Sequence, residues 1–130
     1  MNRLMPHELR NYSERARPIL VGIAKRRTLL TYDSLMYKLG VGPGREYSGE
    51  VVRKISEDES QDGHPKLSAV VVRGDTKMVG GGFFGLSGTP ELVQRSSLVE
   101  WRNPELNLKE QEYWHSELKR VYDYWCPEFR

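Results

Sequence analysis

Hydrophobic positions recur with a helical period in two long stretches of the chain. In the first stretch, residues 6–27, the apolar side chains beyond Pro18 have spacings of one, three and four, which predicts one face of a helix: Ile19, Leu20, Ile23 and Ala24. Pro18 either interrupts this helix or occupies the first turn of a second one. In the second stretch, Leu108–Trp125, a helix is predicted with an apolar seam along one face. The seam is formed by Trp114, Leu118, Val121 and Trp125, which are spaced four, three and four.

The long second helix has a clear start, because Asn107 and Glu110 have the spacing of a capping box. Pro127 ends it. We expect its aromatic seam to pack against the domain, with an identical helix in a homodimer as the alternative.

Residues 28–56 predict a short strand followed by two helices. Thr28–Leu30 is β-like, and Thr31 can cap a helix that ends near Gly40. A Gly/Pro-rich turn at residues 41–44 leads to a second helix from Glu46 to Ser56. The acidic residues 57–63 then predict a solvated loop.

Residues 67–84 predict a β-hairpin. Leu67–Val72 is the strongest strand signal, Gly74–Lys77 has turn chemistry, and Met78 restarts a strand. Gly80–Gly82 indicates a bulge or a close backbone approach, since glycine alone tolerates such contact. The glycines do not form a phosphate-binding Walker loop, because no Gly-Lys-Ser/Thr follows them.

Together these elements predict an α+β fold of winged-helix type in one domain, residues 1–130. It comprises N-terminal helices (residues 1–16 as a candidate peripheral helix), a helix-turn-helix and a β-hairpin wing within residues 28–84, and a long C-terminal helix at 107–125. Residues 86–106 predict an ordered loop with a helical turn near 91–94, anchored by Trp101.

Charge divides the chain unevenly although the net charge is only +2. Residues 1–54 contain eleven Lys/Arg against five Asp/Glu, about +6, and the remainder nine against thirteen, about −4. Such polarity suits an anionic partner approached from one side. No 18-residue apolar run predicts a membrane span, and the single Cys126 suggests a reducing cytoplasm.

Catalytic and metal chemistry is not predicted. The histidines are scattered at positions 7, 64 and 115, Cys126 has no visible base, and Glu57 and Glu59 fall in the predicted hydrophilic loop. The expectation is therefore no catalytic residue, no cofactor and no metal ion.

Four short segments resemble the DNA-binding half of the alkylguanine-DNA alkyltransferases and their alkyltransferase-like relatives. The segments are Leu30–Leu35, Tyr47–Gly49, Pro65–Val72 and Gly81–Phe83, and the resemblance covers about half the chain. Two phrases around Tyr32 and Phe83 also resemble small bacterial and phage proteins. The resemblance implies a winged-helix scaffold that holds DNA.

The resemblance does not extend to alkyl transfer or base flipping. Lys66, Leu67 and Ser68 stand where the family has its acceptor cysteine and histidine, so the activated thiolate is missing. The arginine that the family inserts into the base stack falls on Glu46, one position from Arg45.

The sequence therefore predicts a non-enzymatic, cytoplasmic DNA-binding protein with a regulatory or defence role and duplex DNA as its partner. The alternative is a bacterial or phage protein-interaction module, an inhibitor or adaptor that binds a protein partner through the same fold. The candidate DNA contacts are Arg45, Arg53, Lys54, Arg73 and Lys77 on phosphates, with Tyr47 and Ser48 in the groove.

Overall fold

The computed structural model describes residues 4–41 and 45–129. Within them the chain is mostly helical, with two very short strands, so the broad α+β prediction is compatible with the structure. The helices are α1 Pro6–Lys25, α2 Tyr32–Lys38, α3 Arg45–Gln61, α4 Leu98–Arg102 and α5 Leu108–Trp125, and the strands are β1 Leu30–Thr31 and β2 Val71–Val72. Single 3-10 turns cover Leu67–Val70, Gly81–Gly85, Glu91–Val93 and Pro127–Phe129.

Helix α1 is continuous through Pro18. Its buried face extends on both sides of the proline, from Ser13 and Ala16 to Leu20 and Ala24. Tertiary packing of this face against α3 and α5 outweighs the one backbone hydrogen bond that the proline removes.

The start of α2 agrees with its sequence signal, and the end of α3 does not. The Thr31 hydroxyl accepts a hydrogen bond from the Ser34 N–H at 3.2 Å, so Thr31 is the N-cap. The predicted loop at residues 57–63 is wrong for residues 57–61, because α3 continues to Gln61, and a turn follows at residues 62–63. The reason is tertiary: Ser56 and Glu59 are buried at 0% and 2% exposure, which holds these turns helical. The turn predicted at residues 42–44 lies outside the described residues.

The predicted β-hairpin at residues 67–84 is wrong. Residues 67–70 form a 3-10 turn, and β2 pairs with β1 in parallel, Leu30 opposite Val71 and Thr31 opposite Val72. A tight loop follows β2, in which the Arg73 N–H donates to the Met78 carbonyl at 2.8 Å. Burial explains why no hairpin forms. A two-stranded wing exposes one face to solvent, whereas residues 67–72 are all buried.

Gly81, in the glycine run at 80–82, packs closely against Arg95 and α4. A Cβ atom at Gly81 would collide with the Trp101 carbonyl oxygen and lie 2.5 Å from Arg95 Nη1. The Trp101 indole N–H donates to the Arg95 carbonyl at 2.6 Å. The predicted close approach and the anchoring role of Trp101 are therefore confirmed, and α4 is an element that the sequence pattern had not indicated.

Helix α5 has the predicted bounds and the predicted capping box, with the Glu110 N–H donating to Asn107 Oδ1 at 2.8 Å. Its seam packs inside the domain: Trp114 and Val121 are buried, and the Trp114 indole donates to the Ala69 carbonyl at 2.9 Å. Those side chains are thus covered by their own chain. Among the described residues, no helix is both long and apolar enough to cross a membrane.

Candidate nucleic-acid interface

The parallel pairing of β1 and β2 places two segments at one edge of the small sheet. Strand β1 leads directly into α2 at Tyr32, and β2 leads into the loop Arg73–Lys77, here named the cationic loop. Tyr32 lies beside Gly80, three residues beyond the cationic loop, since a Cβ at Gly80 would sit 3.3 Å from the Tyr32 hydroxyl oxygen. Burial raises the pKa of Tyr32, so this phenol remains protonated and neutral.

An internal ion pair fixes the cationic loop. Arg73 Nε and Nη2 donate to Asp75 Oδ1 and Oδ2 at 2.9 and 2.7 Å, a bidentate contact. These hydrogen bonds lower the pKa of Asp75 to about 2. Lys77 is exposed at the tip, with a left-handed φ of 59°. Arg73 therefore meets a phosphate only in competition with Asp75, whereas Lys77 points its charge into solvent-accessible space.

The cations predicted on α3 also have partners in the protein. Arg53 donates to the Gly85 carbonyl at 3.3 Å, and its guanidinium lies 4.9 Å from the Trp101 ring centroid. Lys54 pairs with Asp58 at 3.0 Å. Arg53 thus joins α3 to Gly85 and to Trp101 on α4. The charge of Lys54 is partly neutralised by Asp58 on the same helix.

The two residues predicted to contact the DNA groove differ in exposure. Ser48 is buried at 3% exposure, so its hydroxyl faces the protein interior. Tyr47 is half-buried at the start of α3. The side chain of Arg45 lies outside the described residues. Over its whole length, α3 contains three Lys/Arg and five Asp/Glu, so the helix as a whole is acidic.

The partners of Lys54 and Arg73 had a readable signal in the sequence. Asp58 follows Lys54 by four residues, a spacing that brings side chains together on a helix, and Asp75 follows Arg73 by two in a turn. The contact between Arg53 and Trp101 had no such signal, because the two residues are 48 positions apart.

A buried ion pair that the sequence did not indicate holds residues 95–110 in place. Arg95 donates to both Glu110 carboxylate oxygens at 2.7 and 3.0 Å and to three backbone carbonyls, those of Glu100, Asn103 and Glu105. Burial raises the pKa of Glu110, but the hydrogen bonds from Arg95 and Asn107 outweigh it and the net shift is downward. All five guanidinium N–H groups are used, so Arg95 is structural.

Residues 92–108, which overlap this segment, carry four exposed aliphatic side chains, here named the apolar rim. Their exposed fractions are 83% for Leu92, 55% for Leu98, 82% for Val99 and 75% for Leu108. Leu92 also lines a cavity of about 410 Å³, together with Glu100 and Glu105. Half of the large hydrophobic side chains that are exposed among the described residues fall within these 17 positions, which makes the rim a candidate protein contact.

No protein-family model, curated protein or solved structure matches this chain.

Proposed function

We propose that the protein is a non-enzymatic DNA-binding protein that holds duplex DNA against α2, α3 and the cationic loop. In this proposal α2 and α3 act as a helix-turn-helix, and the cationic loop takes the place of the wing in a winged-helix-like scaffold. The observation that supports it is the shared sheet edge, from which α2 and the cationic loop both emerge. The charge of about +6 on residues 1–54 adds a long-range attraction for polyphosphate.

The internal ion pairs predict how strong this binding is. Asp58 and Asp75 compete with phosphates for Lys54 and Arg73, so each such contact replaces one ion pair by another. We therefore expect non-specific binding, with Kd values of about 10⁻⁴–10⁻⁶ M at physiological salt and tighter binding at low salt. Phosphate contacts position a protein on the duplex without reading its sequence.

Fluorescence anisotropy of a labelled duplex of about 20 base pairs, titrated at several salt concentrations, tests the proposal. Lys77→Ala should weaken binding and reduce the log–log salt slope by about 0.9, because one phosphate contact is lost. The matched control is Lys109→Ala, an exposed lysine in the first turn of α5. Absence of binding below about 10 µM protein at low salt, or equal losses in both variants, would reject DNA as the ligand.

Asp75→Asn tests the same surface in the opposite direction. The change removes the carboxylate that holds Arg73 and leaves an amide of the same shape. If the cationic loop contacts phosphate, this variant binds the duplex more tightly than the wild type and has a steeper salt dependence. Unchanged affinity would place the DNA elsewhere on the molecule.

The apolar rim favours a second candidate function, binding of a protein partner. Leu92 and Val99 are 83% and 82% exposed and lie seven positions apart in the chain, and exposed apolar side chains that adjoin one another on a surface mark protein contacts. Pull-down from nuclease-treated lysate, with wild type beside Leu92→Lys/Val99→Lys, tests it. A partner that is lost in this variant but retained by Tyr37→Lys, which alters an equally exposed residue on α2, would support this candidate over DNA.

A further inference from the structure

The end of α3 folds back so that three metal-ligating side chains converge. Gly63 has a left-handed φ of 77°, and the His64 N–H donates to the Glu59 carbonyl at 2.9 Å, which returns the imidazole over the last helical turn. One ligand atom from each of Glu59, Asp62 and His64 lies within 4.8 Å of the other two. Within this set, Glu59 Oε2 and His64 Nδ1 are 2.8 Å apart.

We propose that Glu59, Asp62 and His64 bind a divalent transition-metal ion, with Zn²⁺ as the best-suited ion. Zinc bonds to imidazole nitrogen and carboxylate oxygen are about 2.0–2.2 Å long, so two ligand atoms of one tetrahedral ion are about 3.4 Å apart. The widest pair of the three therefore closes by up to about 1.4 Å, and Glu59 Oε2 and His64 Nδ1, now 2.8 Å apart, separate by about 0.6 Å. Asp62 is exposed, so its carboxylate can turn towards the ion without disturbing the core.

The donor set selects the class of metal. One imidazole nitrogen favours Zn²⁺, Co²⁺ or Ni²⁺ over Ca²⁺ and Mg²⁺, which prefer sites made only of oxygen. Three protein ligands leave at least one coordination position for water in a four-coordinate ion. The ion would replace the direct contact between Glu59 Oε2 and His64 Nδ1.

Arg17 supports the site from behind. Its Nε donates to Glu59 Oε1 at 2.8 Å, which fixes the carboxylate and leaves Oε2 for the ion. Such outer-shell hydrogen bonds orient ligands in metal sites and contribute measurably to affinity. Two carboxylates face one guanidinium in this cluster, so its formal charges favour a cation.

Trp125 provides a second observation at the same place. Its ring lies edge-on to His64 with centroids 6.1 Å apart, and Arg17 lies 5.5 Å from the Trp125 ring centroid. The Trp125 indole N–H is buried, and no group in the described part of the chain accepts its hydrogen bond. The Trp125 ring is close enough to His64 to report on an ion bound there.

A purely structural role for the cluster makes a different prediction. If Arg17 and His64 serve only to neutralise Glu59, which is 2% exposed, the protein binds no metal and Asp62 contributes nothing. The metal proposal instead requires Asp62 and His64 together. It also predicts that the ion stabilises the junction of α1, α3 and α5, because it binds the folded state only.

The test uses the full chain without an affinity tag, stripped of metal by a chelator. Zn²⁺ binding is measured by calorimetry, and Co²⁺ binding by visible absorption and by quenching of tryptophan fluorescence. Trp125 is the reporter, because its ring lies next to that of His64. We expect one ion per chain, a rise in Tm with Zn²⁺, and strong quenching by Co²⁺. Arg17→Met should weaken binding by about 10- to 100-fold as the outer-shell support is lost.

Asp62→Asn and His64→Gln should each weaken Zn²⁺ binding at least about tenfold, since each removes one of three ligands. Asp62→Asn alters an exposed side chain, so it keeps the proposal testable even if His64→Gln fails to fold. The matched control is His115→Gln, an exposed histidine on α5. The proposal is overturned if wild type binds no Zn²⁺ at millimolar concentration, or if Asp62→Asn binds as well as wild type. Loss of binding in His115→Gln alone would also overturn it.

Discussion

Replacing Gly81 by alanine should destabilise the fold by about 3 kcal/mol, whereas the same replacement at the adjacent Gly82 should change stability by less than about 0.5 kcal/mol. Neither glycine has a left-handed φ, so the difference between them is purely steric. At Gly81 the new methyl group would collide with the Trp101 carbonyl and approach Arg95 Nη1 to 2.5 Å. At Gly82 it would meet none of the described atoms within 4 Å.

The expected loss of stability follows from the backbone that Gly81→Ala would displace. Overpacking of a tight contact costs about 1–3 kcal/mol, and the obstacle at Gly81 is backbone, which cannot rotate away. Displacing Trp101 and Arg95 also weakens the hydrogen bonds from Arg95 Nη1 to two carbonyls, each 2.7 Å long. With an unfolding entropy of about 2.1 cal/mol/K per residue, 3 kcal/mol lowers the Tm of this 130-residue chain by about 11 °C.

Urea unfolding followed by circular dichroism measures both variants against wild type. We expect a lower midpoint for Gly81→Ala with an unchanged m-value, which indicates lost stability rather than a changed unfolded state. Gly82→Ala is the matched control, because it carries the same effect on the unfolded chain. Equal midpoints for the two variants would refute the close approach of the Trp101 carbonyl to Gly81.

Two further predictions concern buried polar groups. Arg95→Met should lower the free energy of unfolding in urea by about 3–5 kcal/mol, because it leaves the Glu110 carboxylate buried without its cation. The control Arg102→Met, on the exposed face of α4, should change it by no more than about 0.5 kcal/mol. Comparable losses in both variants would contradict a stabilising role of the Arg95–Glu110 ion pair. Burial raises the pKa of Tyr113 and of Tyr122 to about 12, so the native state keeps protons that the unfolded chain releases above its ordinary pKa near 10. The stabilisation is complete below pH 10 and is lost as the pH rises towards about 12, and ultraviolet titration of tyrosinate in wild type and the two Tyr→Phe variants should show both late ionisations.

The sequence by itself determined the elements whose signals are local. The limits of α5 follow from the Asn107–Glu110 capping box and the 3.6-residue period, and the start of α2 follows from Thr31. In each case the stabilising contacts lie within one or two turns, so the residue types and their spacing were sufficient.

Tertiary structure alone decided the elements whose partners are distant. Strand β2 pairs with β1 about 40 residues earlier, which replaces the expected hairpin by a parallel contact, and no local pattern encodes a partner at that distance. Glu59 extends α3 beyond Ser56 because Arg17, 42 residues earlier, neutralises its buried charge. The candidate sites depend on the same long-range burial. The sequence alone does not show whether a charged residue is exposed in a loop or buried beside a partner of opposite charge.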